Sequence, residues 1–313
     1  MAQATELPPH APETGWARRV LGDFHVTGVF WYRFHRWAVA TMPEPLLGPI
    51  IAVFTTFFFC TIFRIRQAIA RNLEVALGPC GPLERQRRIY RTMWNFAWCL
   101  TERYERLATD RTFATEVESF EHWRSVSRGE GGFVMITAHL GMYEVGSMVP
   151  ASEHARRVHL VREPEVDPRA QEFLRRSVAA VEGELFTMYF QSDDPLQGVQ
   201  LLEALRRGEI VAMQADRPRR AAKTVDAELF GRPFPLPSGP AALARAADVP
   251  LLPVFAVREG RRRYRLVFGE PIRVERSADR AADVGDAMRR AGAEVEAAIL
   301  RAPHQWFVFR ALW

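Results

Sequence analysis

Apolar and polar positions follow two different rules along this chain. From Gly131 onward, short apolar runs alternate with longer stretches of helical period. GFVMITA precedes a helix from about Glu144, and VHLV precedes one from about Pro168. Next come ELFTMYF, a helix around 195–207, EIVAMQA, a helix over 238–247, PLLPVFAV and YRLVF, and then a last helix over about 279–301. Uniformly apolar strands separated by helices predict an α/β fold, a mostly parallel sheet covered by helices on both faces. In such sheets, sites form at the carboxyl ends of strands.

Upstream the pattern is helical. Residues 83–108 set Ile89, Met93, Phe96, Ala97 and Leu100 on one stripe, with Arg87, Arg88, Arg91 and Arg103 off it. This predicts a helix packed on the α/β domain with a basic face toward lipid or solvent. From Leu46 to Phe63 roughly 18 residues run without a charge, the lower edge of what crosses a bilayer. Arg33 and Arg36 stand before this run, Arg64, Arg66 and Arg71 after it, and Pro43, Pro45 and Pro49 lie in or beside it. A spanning helix carries its basic excess on one side, so a shallow or re-entrant anchor and a buried core helix both remain open. Trp31, Tyr32 and Trp37 among arginines resemble an interfacial belt and favour membrane contact. Residues 1–15 carry Pro8, Pro9 and Pro12 and lack the apolar stretch of a signal peptide, so they read as a disordered tail. The expected organisation is a tail over 1–15, an N-terminal helical membrane-associating region over 16–110 with its anchor at 46–63, and an α/β domain over 111–313.

Composition narrows the partners. Of 313 residues, 48% are hydrophobic and 25% charged, enough for a sizeable core. The net charge of +5 points to nucleic acid, anionic lipid or an acidic carrier protein. No recognised nucleic-acid module accompanies the charge, so nucleic acid is not expected. Cys60, Cys80 and Cys99 are scattered and odd in number, which argues against a disulfide framework and a zinc site and fits small buried hydrophobes in a reducing compartment. The histidines do not pair at ligand spacing, so no metal is expected.

The chemistry concentrates at Thr137-Ala138-His139-Leu140-Gly141-Met142-Tyr143-Glu144. A hydrophobic strand runs into a histidine at its carboxyl end, Gly141 permits a tight turn, and a glutamate opens the next helix. On one continuous helix His139 and Glu144 would lie well apart in angle. They meet only if His139 sits in the turn with Glu144 on the helix behind it. The carboxylate would then accept from one imidazole nitrogen and leave the other facing substrate as a general base. The alternative is a core histidine beside a glutamate favoured by the helix dipole.

This stretch resembles the H-x-x-x-x-D/E block of the glycerolipid acyltransferase superfamily, and more closely its branch of late lipid A acyltransferases. Further blocks follow in the same order: Val161-Arg162-Glu163-Pro164 after the second strand, and Met213-Gln214-Ala215-Asp216-Arg217-Pro218 ending a later one. Leu229-Phe230-Gly231-Arg232-Pro233-Phe234-Pro235 with Ser238-Gly239-Pro240 looks like the F-G-x-P loop and its helix. Pro250 to Phe255 resembles the hydrophobic-proline strand, and Pro303-His304-Gln305-Trp306 the P-x-Q-W tail. The likeness covers roughly residues 70–313. Met142-Tyr143 stand where Asn-Trp is usual, and Arg217 replaces the glutamine after Asp216. Both departures lie near the acceptor site, so lipid A is not assumed as the acceptor.

The resemblance implies an O-acyltransferase at the cytoplasmic face of a bacterial inner membrane. It would move a fatty acyl chain from an acyl-carrier protein or coenzyme A thioester to a hydroxyl of a membrane lipid or glycolipid, with no further cofactor. His139 would be the base and Glu144 its orienting carboxylate. Arg162, Asp216 and Arg217 are the expected substrate-side residues. Arg162 either binds a phosphate or carboxylate or pairs with Glu163 or Glu165. Asp216 orients His139 or an arginine, or is an ordinary turn residue. The Gly231 loop and the helix from Ser238 and Gly239 either offer backbone donors to the thioester oxyanion or form a plain turn. No G-x-S-x-G elbow and no cysteine near the His block supply a nucleophile, so direct attack without an acyl-enzyme is expected. The basic groups Arg156-Arg157, Arg206-Arg207, Arg219-Arg220 and Arg261-Arg262-Arg263 either dock a carrier protein or coenzyme A phosphates, or are solvated surface. A hydrolase using water, and a catalytically silent lipid-binding protein of the same fold, are the competing readings.

Overall fold

The computed structural model describes residues 29–109, 111–142, 156–164, 167–182, 185–192, 194–218 and 222–313. The 1–15 tail, Glu144 with the helix predicted from it, Glu165, and Arg219-Arg220 lie outside the described residues.

Seven strands form one sheet. Its order is β1 (Ala114–Glu118), β9 (Arg263–Phe268), β8 (Leu251–Gly260), β2 (Phe133–Thr137), β5 (Ile210–Gln214), β3 (Val158–Arg162) and β4 (Phe186–Phe190). From β8 to β4 neighbours are parallel; β9 runs antiparallel to β8, and β1 parallel to β9. The mostly parallel α/β sheet read from the sequence is therefore present, with a reversed edge. Strand β2 explains the uniformly apolar runs. Phe133 and Met135 enter the core on one face, Val134 and Ile136 the core on the other, as a period of two demands in a sheet covered on both sides. The first core is closed by α5 (Phe120–Ser127); the second by α7 (Pro195–Arg206), α8 (Gly239–Ala247) and α9 (Arg280–Arg301), while α6 (Pro168–Glu182) packs on β4.

An antiparallel hairpin, β6 (Thr224–Leu229) with β7 (Arg232–Pro237), packs on α9. The sequence reading gives Leu229 to Pro235 as the F-G-x-P loop. Pro233, Pro235 and Pro237 occupy alternate positions of β7, so their missing N–H groups all fall on the side away from β6 and the ladder survives.

The N-terminal region is a helical layer: α1 (Val29–Thr41), α2 (Glu44–Thr61), α3 (Phe63–Leu77) and α4 (Pro82–Ala108), with α4 packed on each of the other three. The predicted apolar anchor is interrupted at Ile62, whose φ of −97° and ψ of 78° separate α2 from α3. Among the described residues, α2 is the one helix long and apolar enough to cross a membrane, and 17% of it is buried, less than in a core helix. Its inner face carries Leu47, Ile51 and Thr55, while Leu46, Val53 and Phe57 are exposed. Helix α2 lies lengthwise on α4. At one end Glu44 pairs with Arg262 at 2.9 Å, and at the other Phe59 packs against Tyr90. Of the expected interfacial belt, Trp37 is exposed, but Tyr32 is buried against Tyr104 and Phe173. Of the three cysteines, only Cys99 is buried; Cys60 is exposed.

Two buried carboxylates on α4 fasten this layer to the sheet. Glu102 accepts from Arg258 Nε at 2.9 Å, from the Arg262 backbone N–H at 2.9 Å and from the Tyr264 hydroxyl. Glu105 takes Arg261, Arg262 and Arg111. Burial pushes the Glu105 carboxyl up, but the three guanidinium groups outweigh it and hold it at about 2. Arg261 and Arg262 are thus spent inside the protein and do not form the expected docking cluster. Arg156 is likewise engaged, donating to the Gly131 and Ser127 carbonyls, and Arg207 pairs with Glu209 at 3.1 Å.

Candidate active site

Strands β2 and β5 leave the sheet in step. Thr137 pairs with Gln214, and the Ala215 N–H donates to the Thr137 carbonyl at 2.8 Å. His139 and Asp216 each lie two residues beyond that pair and therefore meet. Asp216 Oδ1 lies 2.8 Å from His139 Nδ1. Its Oδ2 accepts from the His139 backbone N–H at 3.1 Å and from Trp306 Nε1 at 3.0 Å. Asp216 is fully buried. Burial alone would raise its pKa, but His139, Arg217 and Trp306 together bring it down to about 2, so it is a carboxylate at neutral pH. An ionised Asp216 only accepts, which requires the proton on Nδ1 and leaves the lone pair on Nε2.

The turn that holds His139 is clamped from both sides. Gly141 has φ of +56°, and a Cβ there would stand 2.0 Å from the Ala256 carbonyl oxygen, so no other residue fits. The Gly141 N–H donates to Gln305 O at 2.9 Å, and the Phe307 N–H to His139 O at 2.7 Å. The P-x-Q-W tail therefore grips the histidine turn, and its tryptophan grips the aspartate. Of the alternatives open for Asp216, contact with His139 is the one present. Glu144, read from sequence as the carboxylate that orients His139, lies outside the described residues; among the described residues it is Asp216 that contacts Nδ1.

His139 opens on a cavity of about 630 Å³ between the sheet and the helical layer. Val39, Leu47, Ile51, Met93 and Leu100 give it an apolar wall, while Arg162, Glu163, Arg217 and Arg310 stand at its polar end. Arg162 arrives at the end of β3, which is hydrogen-bonded to β5, so three adjoining strand exits deliver the polar groups. Arg217 Nη2 lies 3.0 Å from His139 Nε2 and 2.8 Å from Glu163 Oε2. Glu163 is thus drawn to Arg217.

The structure does not bring Gly231, Ser238 and Gly239 into the cavity wall. Gly231 forms the β6–β7 turn, and Ser238 donates to the Lys223 carbonyl at the base of that hairpin. The loop supports the site from behind, through Phe230 packed on Trp306. Sequence reasoning gave Trp306 and Arg310 no role beyond their place in the tail, and passed over the cavity wall from α1 and α2. Among the described residues no cluster of metal-binding side chains occurs.

A carboxylate-held histidine at the polar end of an apolar cavity suits acyl transfer between lipids. The chain belongs to the family described as bacterial lipid A biosynthesis acyltransferase, which matches residues 18–313, and it is thus a lipid acyltransferase. Among solved structures it is similar to the 1-acyl-sn-glycerophosphate (LPA) acyltransferase PlsC from Thermotoga maritima. That likeness has 13% identity and a TM-score of 0.35, covering 79% of this chain and 95% of that one. No curated protein matches it at a significant level.

Proposed function

We propose that this protein transfers a fatty acyl chain from a thioester, carried by acyl-carrier protein or coenzyme A, to a hydroxyl of a membrane lipid or glycolipid. The reaction would take place at the cytoplasmic face of a bacterial inner membrane, with α2 as the membrane-associating element. The observation that carries the reading is the 2.8 Å contact of Asp216 with His139 Nδ1, with the opposite nitrogen at the head of an apolar cavity.

In this mechanism the acceptor hydroxyl attacks the thioester carbonyl as His139 Nε2 takes its proton. Asp216 holds the ring and stabilises the imidazolium that forms. The tetrahedral intermediate collapses with loss of the thiolate, which recovers the proton from Nε2, leaving ester, thiol and neutral His139. No side-chain nucleophile is required. The apolar wall takes the acyl chain, so binding energy far from the reacting carbon positions it.

The test uses full-length protein in detergent micelles with a labelled acyl thioester, with and without lyso-lipid acceptors. Acceptor-dependent ester should form, and His139→Ala should lower its rate at least 10²-fold, as loss of a general base does. Free fatty acid at the same rate with or without acceptor would mean a hydrolase. Cellular function untouched by His139→Ala would mean a silent binding protein.

A further inference from the structure

We infer that Trp306 is a positioning residue for the base: its indole N–H, wedged in place by the Phe230–Gly231 turn, orients Asp216 and limits how tightly the Asp216–His139 pair takes up a proton. The inference rests on the general-base reading of His139. Of the three donors on Asp216, two belong to His139 itself, the Nδ1 group and the backbone N–H, and the third is Trp306 Nε1. That indole nitrogen stands 3.0 Å from Oδ2, and its residue is buried. Among the three, it alone acts on the carboxylate from outside the histidine.

The indole is held on every side. Backbone bonds fix both of its chain neighbours, Gln305 O accepting from the Gly141 N–H and the Phe307 N–H donating to His139 O. The Trp306 backbone is therefore set against the histidine turn. Its ring is enclosed by Phe230 and Trp313, with centroids 5.7 and 6.5 Å away, and Phe234 stacks behind Trp313 at 5.0 Å. Phe230 holds a φ of +55°, a conformation that a bulky residue seldom adopts, and its backbone N–H donates to Glu296 on α9. Strain of this kind persists where the surroundings overdetermine it, here where an aromatic ring meets the indole. Contact thus runs from Glu296 through Phe230, Trp306 and Asp216 to His139, which gives the hairpin turn a part in the site although it does not line the cavity.

A buried carboxylate beside an imidazole favours the imidazolium, and an imidazolium has no lone pair with which to act as a base. A neutral donor on Oδ2 disperses part of the negative charge and weakens that pull on the proton, while Oδ1 still holds the ring. Other charged and titratable groups face the pair. Arg217 lies across the ring, its Nε 3.4 and 3.3 Å from the two nitrogens. Arg162 and Glu163 come from the exit of β3, Arg310 from the tail, and His35, Cys99 and Arg103 from the helical layer around the same cavity. All of them stay in place when Trp306 is replaced, so a change in pH dependence isolates the indole.

The experiment follows acyl transfer against pH with full-length protein in detergent micelles. The donor is an acyl-CoA, and the acceptor is whichever of lysophosphatidic acid, a 3-hydroxyacyl ornithine lipid and monoacylglycerol is turned over fastest. Trp306→Phe keeps a ring between Phe230 and Trp313 and removes the N–H. It should lower kcat about tenfold with KM changed by no more than about twofold, and move the acid limb of kcat/KM to higher pH by about 0.5 unit or more. A limb that stays in place overturns the inference. Phe230→Leu trims the packing but keeps the N–H, so its limb should move less far; a displacement equal to that of Trp306→Phe assigns the effect to packing and overturns it. If Trp306→Phe fails to fold, wild type labelled with 15N-tryptophan carries the test. One indole N–H resonance should titrate with the midpoint of the acid limb and lose that titration in His139→Ala. No resonance that does so overturns the inference. Wild type that neither transfers to any of the three acceptors nor cleaves the thioester refutes the acyltransferase reading itself, while the indole resonance still tests the contact of Trp306 with the pair.

Discussion

Asp216 receives three donors on two oxygens while fully buried, and each of them fixes the ring it serves. An amide in its place would present an N–H where Nδ1–H must donate, and would favour the wrong tautomer. Asp216→Asn should therefore lower transfer by about 10³–10⁴ in kcat with little change in KM, measured with the acyl-thioester assay. Glu144→Gln in the same assay should cost less, because Asp216 already occupies Nδ1. His139 was legible as a candidate because a strand of four apolar residues and Thr137 ends two positions before it. Its partner was legible only as one alternative among several. Whether positions 77 apart in sequence meet depends on the Thr137–Gln214 register, and a pattern of apolar runs does not encode register. The same limit left the Gly231 loop and Ser238 between an oxyanion role and a plain turn: their types suit the task, but Gly231 closes the β6–β7 turn and Ser238 donates to the Lys223 carbonyl.

Among the elements, α4 shows what charge counting misses. Its off-stripe carboxylates Glu102 and Glu105 are buried, and they engage the arginines that read as docking surface. Glu105 is held at about 2, below its usual 4.5. A carboxyl depressed in the folded state contributes stability that is complete above about pH 4.5 and is lost as pH falls toward about 2. Acid unfolding in detergent, followed by circular dichroism, should show a loss on the order of 3 kcal/mol across that window. Glu105→Gln should flatten the profile there. It should also lower stability at neutral pH by about 3 kcal/mol, since Arg261 and Arg262 would lose their buried partner and keep only the weaker contacts with Glu102 and Glu44. Helix α2 was legible in its length and apolarity, but its exposure was not, since composition is the same for a covered and an uncovered helix. Phe57 is on the exposed face, so Phe57→Glu should leave the fold intact. It should weaken liposome flotation by at least about 30-fold, the equivalent of about 2 kcal/mol for one withdrawn aromatic ring.

At the scale of the molecule, the cavity belongs to no single segment. Its polar end comes from strand exits of the sheet, and its apolar wall from helices that precede the sheet in the chain. The tail binds the two together. Asn72 on α3 donates to the Val308 and Arg310 carbonyls, and Asn95 on α4 to that of His304, while Gln305 and Phe307 hold the histidine turn. The alternation of strands and helices made the sheet legible. The cavity was not, because it forms between layers that touch only after folding. Its depth should set acyl length: Ala38→Trp, at a buried wall position, should shift ester products toward chains shorter by a few carbons in mass spectra, with the rate on short donors preserved.

Helix α2 separates that cavity from the surroundings by the thickness of one helix. Leu47 and Ile51 line the interior, while Leu46 and Val53 face outward. With the outward stripe sunk in a leaflet, hydrocarbon would lie on both sides of this partition. A small tilt of α2 away from α4 would join the two oily phases sideways, and a greasy chain could slip from bilayer to catalyst without ever being wetted.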